Sequence, residues 1–306
     1  MKRNETIDIC KGIGIILVVL GHIISFPLFH KLVYGVHMPL FFLLSGYCMS
    51  VGRYDILTFI KRKFKSLILP FIYCAIIEVL FLTFVNQKVS MDYVYPDIGH
   101  VLWFLPVLFT SSIISYILLC CRYKSVLLWA ILAVVCLILL IFIKMPYSLS
   151  VVPVAVIFII GGYFFKRLFS NLLFNINVNI IAFLFLLLLY IILILFFDIR
   201  VDMKKSIFTP FLLSVFCAFM GCLLVFYSSN IFRKTKLKPV FLWCGENSLS
   251  IMVTHFYFIE CFGYLTTKYG MNSNMSLLLL LFGVWPYEII VVLLINRYAP
   301  WIVSKK

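Results

Sequence analysis

The stretch IDICKGIGIILVVLGHIISFPLF, residues 7–29, is apolar apart from a few isolated polar groups. It is long enough to span a membrane, since a transmembrane α-helix needs about 20 mostly apolar residues. No small-residue cleavage site follows it, so we expect a retained first helix and not a signal peptide. A charged group at the bilayer centre costs at least about 2.5–3.5 kcal/mol on insertion scales. The presence of Lys11 and His22 inside this run therefore indicates a structural or functional role for them.

Further apolar runs of similar length follow along the chain and are joined by short turns. The predicted spans are residues 9–29, 33–51, 66–86, 100–120, 125–143, 149–165, 179–197, 207–228, 246–267 and 275–296. A chain that is 64% hydrophobic and 12% charged is neither a soluble domain nor disordered. The runs are unbroken where an outer-membrane barrel would alternate in polarity. The sequence therefore predicts an all-α polytopic membrane protein, a bundle of about ten transmembrane helices forming one domain over residues 1–306.

The net charge of +15 has a distribution that indicates topology. With the N-terminus in the cytoplasm, most of the 26 Lys and Arg residues fall in cytoplasmic segments, as membrane proteins prefer. Both termini are then cytoplasmic. The basic loops suit membrane lipids and an anionic cytoplasmic ligand, and we expect no nucleic-acid partner. We expect a multi-pass protein of a bacterial-type plasma (inner) membrane.

Several polar groups inside the predicted spans are candidates for chemistry. Lys11 and His22 lie eleven residues apart, about three helical turns, so they share one face and are separated by about 16 Å. An antiparallel hairpin would place His37 near the depth of His22, and His255 falls near the middle of the ninth span. Imidazole suits proton transfer near neutral pH. Snorkelling of Lys11 to lipid headgroups and helix–helix hydrogen bonding by His22 are the structural alternatives.

Two further stretches are polar or basic where a membrane helix begins. FIKRKFKSLILPF (59–71) places Arg62 and Lys65 on one face, which predicts either a positive-inside anchor or a clamp for phosphates. GENSLSIMVTH (245–255) predicts either a helix N-cap around Glu246 or a polar face that Ser248 shares with His255. No pair of histidines or cysteines has the spacing of metal ligands, so we expect no metal site.

Five segments, taken in order, resemble the acyltransferase-3 family of integral membrane O-acyltransferases. They are IDICKGIGIILVVLGH (7–22) with Lys11 and His22 in place of the family's basic residue and histidine, GVHMPLFFLLSGYCMS (35–50), KRKFKSLILP (61–70), HVLWFLPVLF (100–109) and GENSLSIMVTH (245–255). The resemblance is greatest to the stand-alone, fucose 4-O-acetylase-like members. It implies transfer of an acyl group, commonly acetyl, from cytoplasmic acyl-CoA to a hydroxyl of a cell-surface polysaccharide or its lipid-linked precursor.

For such a reaction we hypothesise roles for individual residues of this sequence. His22 would be the general base, with His37 or Glu246 orienting it or stabilising the oxyanion. Lys11, Arg62 and Lys65 would bind the phosphates of acetyl-CoA, the expected co-substrate. No esterase-type domain is seen in the sequence, so we expect direct acylation of a lipid-linked glycan or completion by a separate partner enzyme. The remaining assignments concern the acceptor, which would be bound by His100, Trp103, Ser248 and His255.

A transporter or flippase for a glycan lipid is the alternative function. Intramembrane His and Glu residues also serve proton relays. Transporters tend to show internal repeats and paired broken helices, and neither is evident in this sequence. The basic cluster and the Lys11–His22 pair favour a CoA-dependent enzyme.

Overall fold

The structure, a computed structural model, describes residues 4–86, 101–120, 146–175 and 180–303. These residues are mostly helical. In chain order the elements are α1 (Glu5–Ile23), α2 (Pro27–Tyr34), α3 (His37–Tyr47), α4 (Ile56–Lys63), a π-helical turn (Phe64–Ile68), α5 (Leu69–Asn86), α6 (Phe104–Cys120), a 3₁₀ turn (Pro146–Val151), α7 (Val152–Asn175), α8 (Ile180–Phe196), β1 (Arg200–Asp202), β2 (Ile207–Thr209), α9 (Phe211–Phe232), α10 (Lys238–Glu246), α11 (Ser248–Lys268), α12 (Ser273–Tyr298) and a 3₁₀ turn (Pro300–Val303).

Seven helical segments of the described residues are long and apolar enough to cross a membrane. They are Glu5–Ile23, Pro27–Tyr47, Ile56–Phe81, Ser148–Leu168, Phe211–Phe232, Ser248–Thr266 and Ser273–Tyr298. Two shorter apolar helices, α6 and α8, accompany them. The all-α prediction is confirmed. The predicted span 125–143 lies outside the described residues, and the count of about ten and the cytoplasmic position of the termini stay predictions.

The first predicted span, 9–29, is wrong at its end. α1 ends at Ile23, and α2 begins at Pro27 after an extended Phe26. Proline lacks a backbone N–H and disfavours helical backbone in the residue before it, so it ends one helix and starts the next. As a result His22 lies in the last turn of α1 instead of inside a longer helix.

The third predicted span begins too late, at residue 66. The helix starts at Ile56, where the Asp55 carboxylate accepts a hydrogen bond from the Thr58 backbone N–H at 3.1 Å. Hydrogen bonds from Thr58 also lower the pKa of Asp55. The π-helical turn then leads into α5, whose second residue is Pro70. The basic stretch therefore lies inside the helix and does not merely precede it.

The limits of the later predicted spans differ less from the observed helices, and the structure contains one β-hairpin that was not predicted. The strands β1 and β2 form a two-stranded hairpin, so the predicted span 207–228 begins as a strand and α9 starts only at Phe211. The predicted span 246–267 corresponds to α11. A separate short helix, α10, precedes it in the chain at Lys238–Glu246.

The chain forms two compact units. The first comprises Met1–Phe41, Phe169–Val201 and Phe208–Ala299, with α1 at its centre in contact with α2, α9, α10, α11 and α12. Glycines permit the closest of these contacts. A β-carbon on Gly12 would overlap the Phe241 carbonyl, and one on Gly245 would overlap the Asp8 carbonyl. Small residues let membrane helices approach at backbone distance, which fixes α10 against α1.

The second unit comprises Phe42–Leu168, Asp202–Ile207 and Pro300–Lys306. It also uses glycines at a close helix contact, since β-carbons on Gly46 and Gly162 would overlap backbone atoms of α7 and α3. The predicted single domain over residues 1–306 stays a prediction.

Candidate active site

Two histidines from different helices of the first unit face each other. His22 lies in the last turn of α1, and His255 lies about two turns into α11. Their ring centroids are 5.3 Å apart, and the ring planes are tilted by 46°. His255 is completely buried, whereas His22 is exposed. The pair therefore consists of one buried imidazole, His255, and one accessible imidazole, His22.

The hydrogen bonding of His255 defines its tautomer. Its Nδ1 lies 2.8 Å from the carbonyl oxygen of Ile251. A carbonyl oxygen only accepts hydrogen bonds, so Nδ1 carries the hydrogen and donates it. In the neutral ring Nε2 then carries a lone pair, and this atom has no hydrogen-bond partner among the described residues. A buried acceptor on the ring that faces His22 is thus available to a donor from His22 or from a substrate.

His37, predicted to act beside the first-helix histidine, lies at the start of α3. Its Nδ1 donates to the Val33 carbonyl oxygen at 2.8 Å, and its ring meets Tyr34 edge-on with centroids 4.9 Å apart. Tyr34 also stacks on His30 at 4.7 Å. A β-carbon on Gly21 would lie 3.4 Å from Tyr34 Cε2, so this row of rings borders the end of α1. The catalytic role of His37 stays a prediction.

Lys11 lies about three turns before His22 on α1. Its Nζ is 3.5 Å from Oδ1 of Asp8, and the Lys11 side chain is one-third exposed while Asp8 is nearly buried. Asp8 is missing from the predicted site, although a carboxylate three residues before a lysine is a familiar helical pairing. The ion pair holds the ammonium group near the N-terminal end of α1.

The segment around Glu246 differs from the predicted N-cap. Glu246 is the exposed last residue of α10, and Ser248 is the half-buried first residue of α11. Between them Asn247 donates from Nδ2 to the Trp243 carbonyl at 2.8 Å and accepts at Oδ1 from Asn296 of α12 at 3.1 Å. The asparagine side chain therefore joins the ends of α10 and α12 at the start of α11. The catalytic role predicted for Glu246 and the acceptor-binding role predicted for Ser248 remain untested.

The predicted phosphate-binding residues of the basic stretch belong to the second unit. Arg62 lies over the Tyr54 ring with its Cζ 4.5 Å from the centroid, and Arg53 approaches the same ring at 5.3 Å. Lys65 lies in the π-helical turn and is exposed. Lys63, missing from the predicted site, reaches inward, with Nζ 3.4 Å from Ser45 Oγ. The π-helical turn changes which cations share a face, and regular helical spacing does not reveal this.

Of the two predicted acceptor-binding residues in the fourth span, Trp103 and His100, the structure describes only Trp103. Trp103 is buried and its ring meets Phe104 edge-on at 6.3 Å, so it is a core residue of the second unit. His100 lies outside the described residues. An acceptor-binding role for either residue stays a prediction.

An ion cluster connects α2 to the segment after α8 in the first unit. The Asp198 carboxylate binds Lys31 Nζ, and its second oxygen is 2.7 Å from Arg200 Nη2. The hydrogen bond from Lys31, followed by that from Arg200, lowers the pKa of Asp198. Among the described residues no three His, Cys, Asp or Glu side chains are grouped as a metal site requires.

Comparison with known proteins gives two matches of different extent. The model of the acyltransferase-3 family, described as an acyltransferase domain, matches residues 4–295. The Nodulation protein NolL of Sinorhizobium fredii (strain NBRC 101917 / NGR234) is 28% identical over 170 residues, which are 50% of this chain and 45% of that protein. The chain thus aligns with less than half the length of this relative. No solved structure matches the chain.

The family match runs through nearly all the described helices and includes both histidines of the facing pair. The five segments that resemble the family in sequence lie at α1, at α3, across the π-helical turn between α4 and α5, at α6 and at the α10–α11 junction. The chain belongs to the acyltransferase-3 family, whose model is described as an acyltransferase domain.

Proposed function

We propose that this enzyme transfers an acyl group, in the simplest case acetyl, from acyl-CoA to a hydroxyl group of a cell-surface polysaccharide or its lipid-linked precursor in the bacterial plasma membrane. The observation that carries the proposal is the accessible His22 ring, which faces the buried His255 ring at 5.3 Å. Transfer to a hydroxyl needs a base that reaches the substrate, and His22 meets that requirement.

In the proposed reaction, each proton transferred and each bond formed or broken can be followed. His22 accepts the hydrogen of the acceptor hydroxyl as the oxygen attacks the carbonyl carbon of the thioester. The carbon–sulfur bond then breaks, and the CoA thiolate leaves with the proton that His22 has held. An ester and free CoA result, with no net proton released. General-base catalysis of this kind contributes about 10²–10⁴-fold.

The buried histidine suits the role of partner to this base. With its Nδ1–H donated to the Ile251 carbonyl, neutral His255 keeps an Nε2 lone pair on the ring that lies 5.3 Å from His22. A ring that accepts a hydrogen bond from His22 would fix which nitrogen of His22 faces the acceptor, as second groups do in catalytic triads. Stabilisation of the oxyanion by His37 or Glu246 is a separate part of the proposal.

The residues proposed to bind the donor phosphates come from both units. In the first unit, Lys11 is the cation of α1 that would bind a phosphate of the donor. Arg62 and Lys65 of the second unit keep the phosphate-binding role that the sequence predicts, because Arg and Lys both suit phosphate oxygens. Acceptor binding by His100, Trp103 and Ser248 rests on the sequence resemblance alone. A partner enzyme would be needed only when the acyl group is passed on from the protein.

Membership of an acyltransferase family favours the enzyme over the predicted alternative, a glycan-lipid transporter. A transporter has no need for a thioester donor. Heat-stabilisation of the purified protein by acetyl-CoA is therefore expected for the enzyme, and it would not be expected for a flippase.

The deciding experiment compares wild type with His22→Ala in detergent or proteoliposomes, using radiolabelled acetyl-CoA and lipid-linked oligosaccharide from the host. Transfer by His22→Ala should fall by about 10²–10⁴-fold, the contribution of a general base. The control is His30→Ala, a histidine that stacks on Tyr34 and has no assigned role in the chemistry. Undiminished transfer by His22→Ala contradicts the proposal, and label retained on the protein would indicate an acyl-enzyme route.

A further inference from the structure

A carboxyl group that the proposed reaction does not use lies in the core of the first unit. Glu288 of α12 is completely buried. Its Oε2 is 2.8 Å from Thr254 Oγ1 of α11, and its Oε1 has no hydrogen-bond partner among the described residues. Thr254 immediately precedes His255 in the chain.

The hydrogen atoms around Thr254 can be counted. Its Oγ1 also lies 2.8 Å from the Ser250 carbonyl oxygen, which only accepts. A threonine hydroxyl has a single hydrogen to donate. Both contacts are hydrogen bonds at once only when Thr254 donates to Ser250 and Glu288 supplies the hydrogen of the second bond. The geometry is therefore complete for the neutral carboxylic acid and incomplete for the carboxylate.

The surroundings of Glu288 agree with a neutral acid. The titratable side chains that interact with it are Cys244 of α10 and Tyr287 of its own helix, and neither is a cation. No Lys, Arg or His forms an ion pair with Glu288 within the described part of the chain. A buried charge is normally paired, whereas a neutral acid needs only hydrogen bonds.

Glu288 forms one of the hydrogen-bond links that set how α11 packs on α12. Another runs from Asn296 Nδ2 to Asn247 Oδ1 at 3.1 Å, and the Tyr287 hydroxyl lies 3.5 Å from the Thr254 carbonyl oxygen. Thr254 lies seven residues after Asn247, which immediately precedes α11, and Glu288 and Asn296 are eight residues apart on α12. These spacings correspond to about 10–12 Å along each axis. Links so spaced on antiparallel helices resist both sliding and rotation. The position of His255, next to the inner link, is thereby determined.

We infer that Glu288 is a positioning residue that acts as a neutral hydrogen-bond donor to Thr254 and thereby holds His255 opposite His22. The inference rests on the proposed function, because it assigns this positioning to the acyl-transfer step. It also makes a claim about protonation that holds whether or not the reaction is assigned correctly.

The test compares Glu288→Gln with Glu288→Ala in the full-length protein. Glutamine is neutral and its amide N–H can donate to Thr254, so kcat should stay within about threefold of wild type. Alanine should lower kcat by about 10²-fold, the cost of a misplacement of roughly 1 Å, with the KM for acetyl-CoA nearly unchanged. Equal loss in both variants would overturn the inference, because a neutral hydrogen-bond donor at this position would then not be sufficient to hold His255.

An infrared measurement separates this inference from the proposed function. The wild-type spectrum at neutral pH should contain a carboxylic-acid C=O band that is absent from Glu288→Gln, where the other acids remain. Its presence supports the neutral acid even if no transfer is detected with the chosen acceptor. Its absence overturns the inference even if transfer is normal. The measurement needs only folded protein, so a misfolded alanine variant does not prevent the test.

Discussion

At the scale of single residues, the candidate site depends on which nitrogen atoms and oxygen atoms have partners. The sequence identifies His22, because a histidine inside an apolar run, eleven residues after a lysine, is a recognisable pattern. It does not identify the ring that faces His22. The predicted neighbour was His37, whereas the structure places His255 at 5.3 Å. Which side chains meet across a helix bundle depends on helix rotation, which residue spacing leaves open.

We expect His255→Phe to lower acyl transfer by about 10²-fold, the cost of displacing a reacting group by roughly 1 Å. Phenylalanine keeps the ring volume in this completely buried position but removes Nε2 and the hydrogen bond to Ile251. The measurement is single-turnover transfer from acetyl-CoA, with folding checked by thermal unfolding. The matched control is His30→Phe, and equal activity of His255→Phe and wild type would contradict a role for His255.

At the scale of elements, proline, glycine and asparagine explain where the observed helices differ from the predicted runs. Pro27 separates α1 from α2, and Asn247 separates α10 from α11 through its hydrogen bond to Trp243. The break at Pro27 follows from elementary backbone chemistry, so it is predictable in principle. The close approach of α10 to α1 is not predictable in the same way, because isolated glycines occur in many helices without a neighbouring backbone.

The glycine contact between α1 and α10 predicts a stability effect. Gly12→Ala should lower the free energy of unfolding by about 1–3 kcal/mol, the usual cost of overpacking a tight core. The reason is that its added methyl group would overlap the Phe241 carbonyl. The measurement is the thermal midpoint in detergent, followed by fluorescence-detected size exclusion.

The control for this prediction is Gly263→Ala in α11. Nothing lies within 4 Å of a β-carbon at that position. Alanine there should be neutral or stabilising by up to roughly 1 kcal/mol, since helical glycine is entropically costly. If Gly12→Ala unfolds at the same temperature as the control, the backbone contact has no energetic importance.

At the scale of the whole molecule, composition and charge predict a membrane topology. The structure provides seven helical segments able to span and two shorter apolar helices in its described part. The cytoplasmic position of the termini is predicted from the distribution of Lys and Arg. The helix α9 lies in the chain between the exposed ion cluster around Arg200 and the basic loop Arg233–Lys238. These two segments are predicted to lie on opposite sides of the membrane.

We expect Arg200→Cys to react with a membrane-impermeant thiol reagent added to intact cells. We expect Lys236→Cys to react only after the cytoplasmic face is exposed, for example in inverted vesicles. Both positions are exposed in the structure, and a cysteine-free background removes the native thiols. Labelling of both variants from one side would contradict the predicted orientation.

The sequence by itself determined the all-α class, most of the apolar helices and the family, and it predicts functional roles for Lys11 and His22. These properties depend on composition, run length and local motifs, which a linear chain displays directly. Only the tertiary structure decided that His255 faces His22, that Lys63 reaches Ser45 and that Glu288 binds Thr254. The physical reason is that lipid and protein core are both apolar, so a membrane helix lacks the periodic polarity that would indicate its inner face. Helix rotation and contact then depend on glycine approaches and buried hydrogen bonds between residues far apart in the chain.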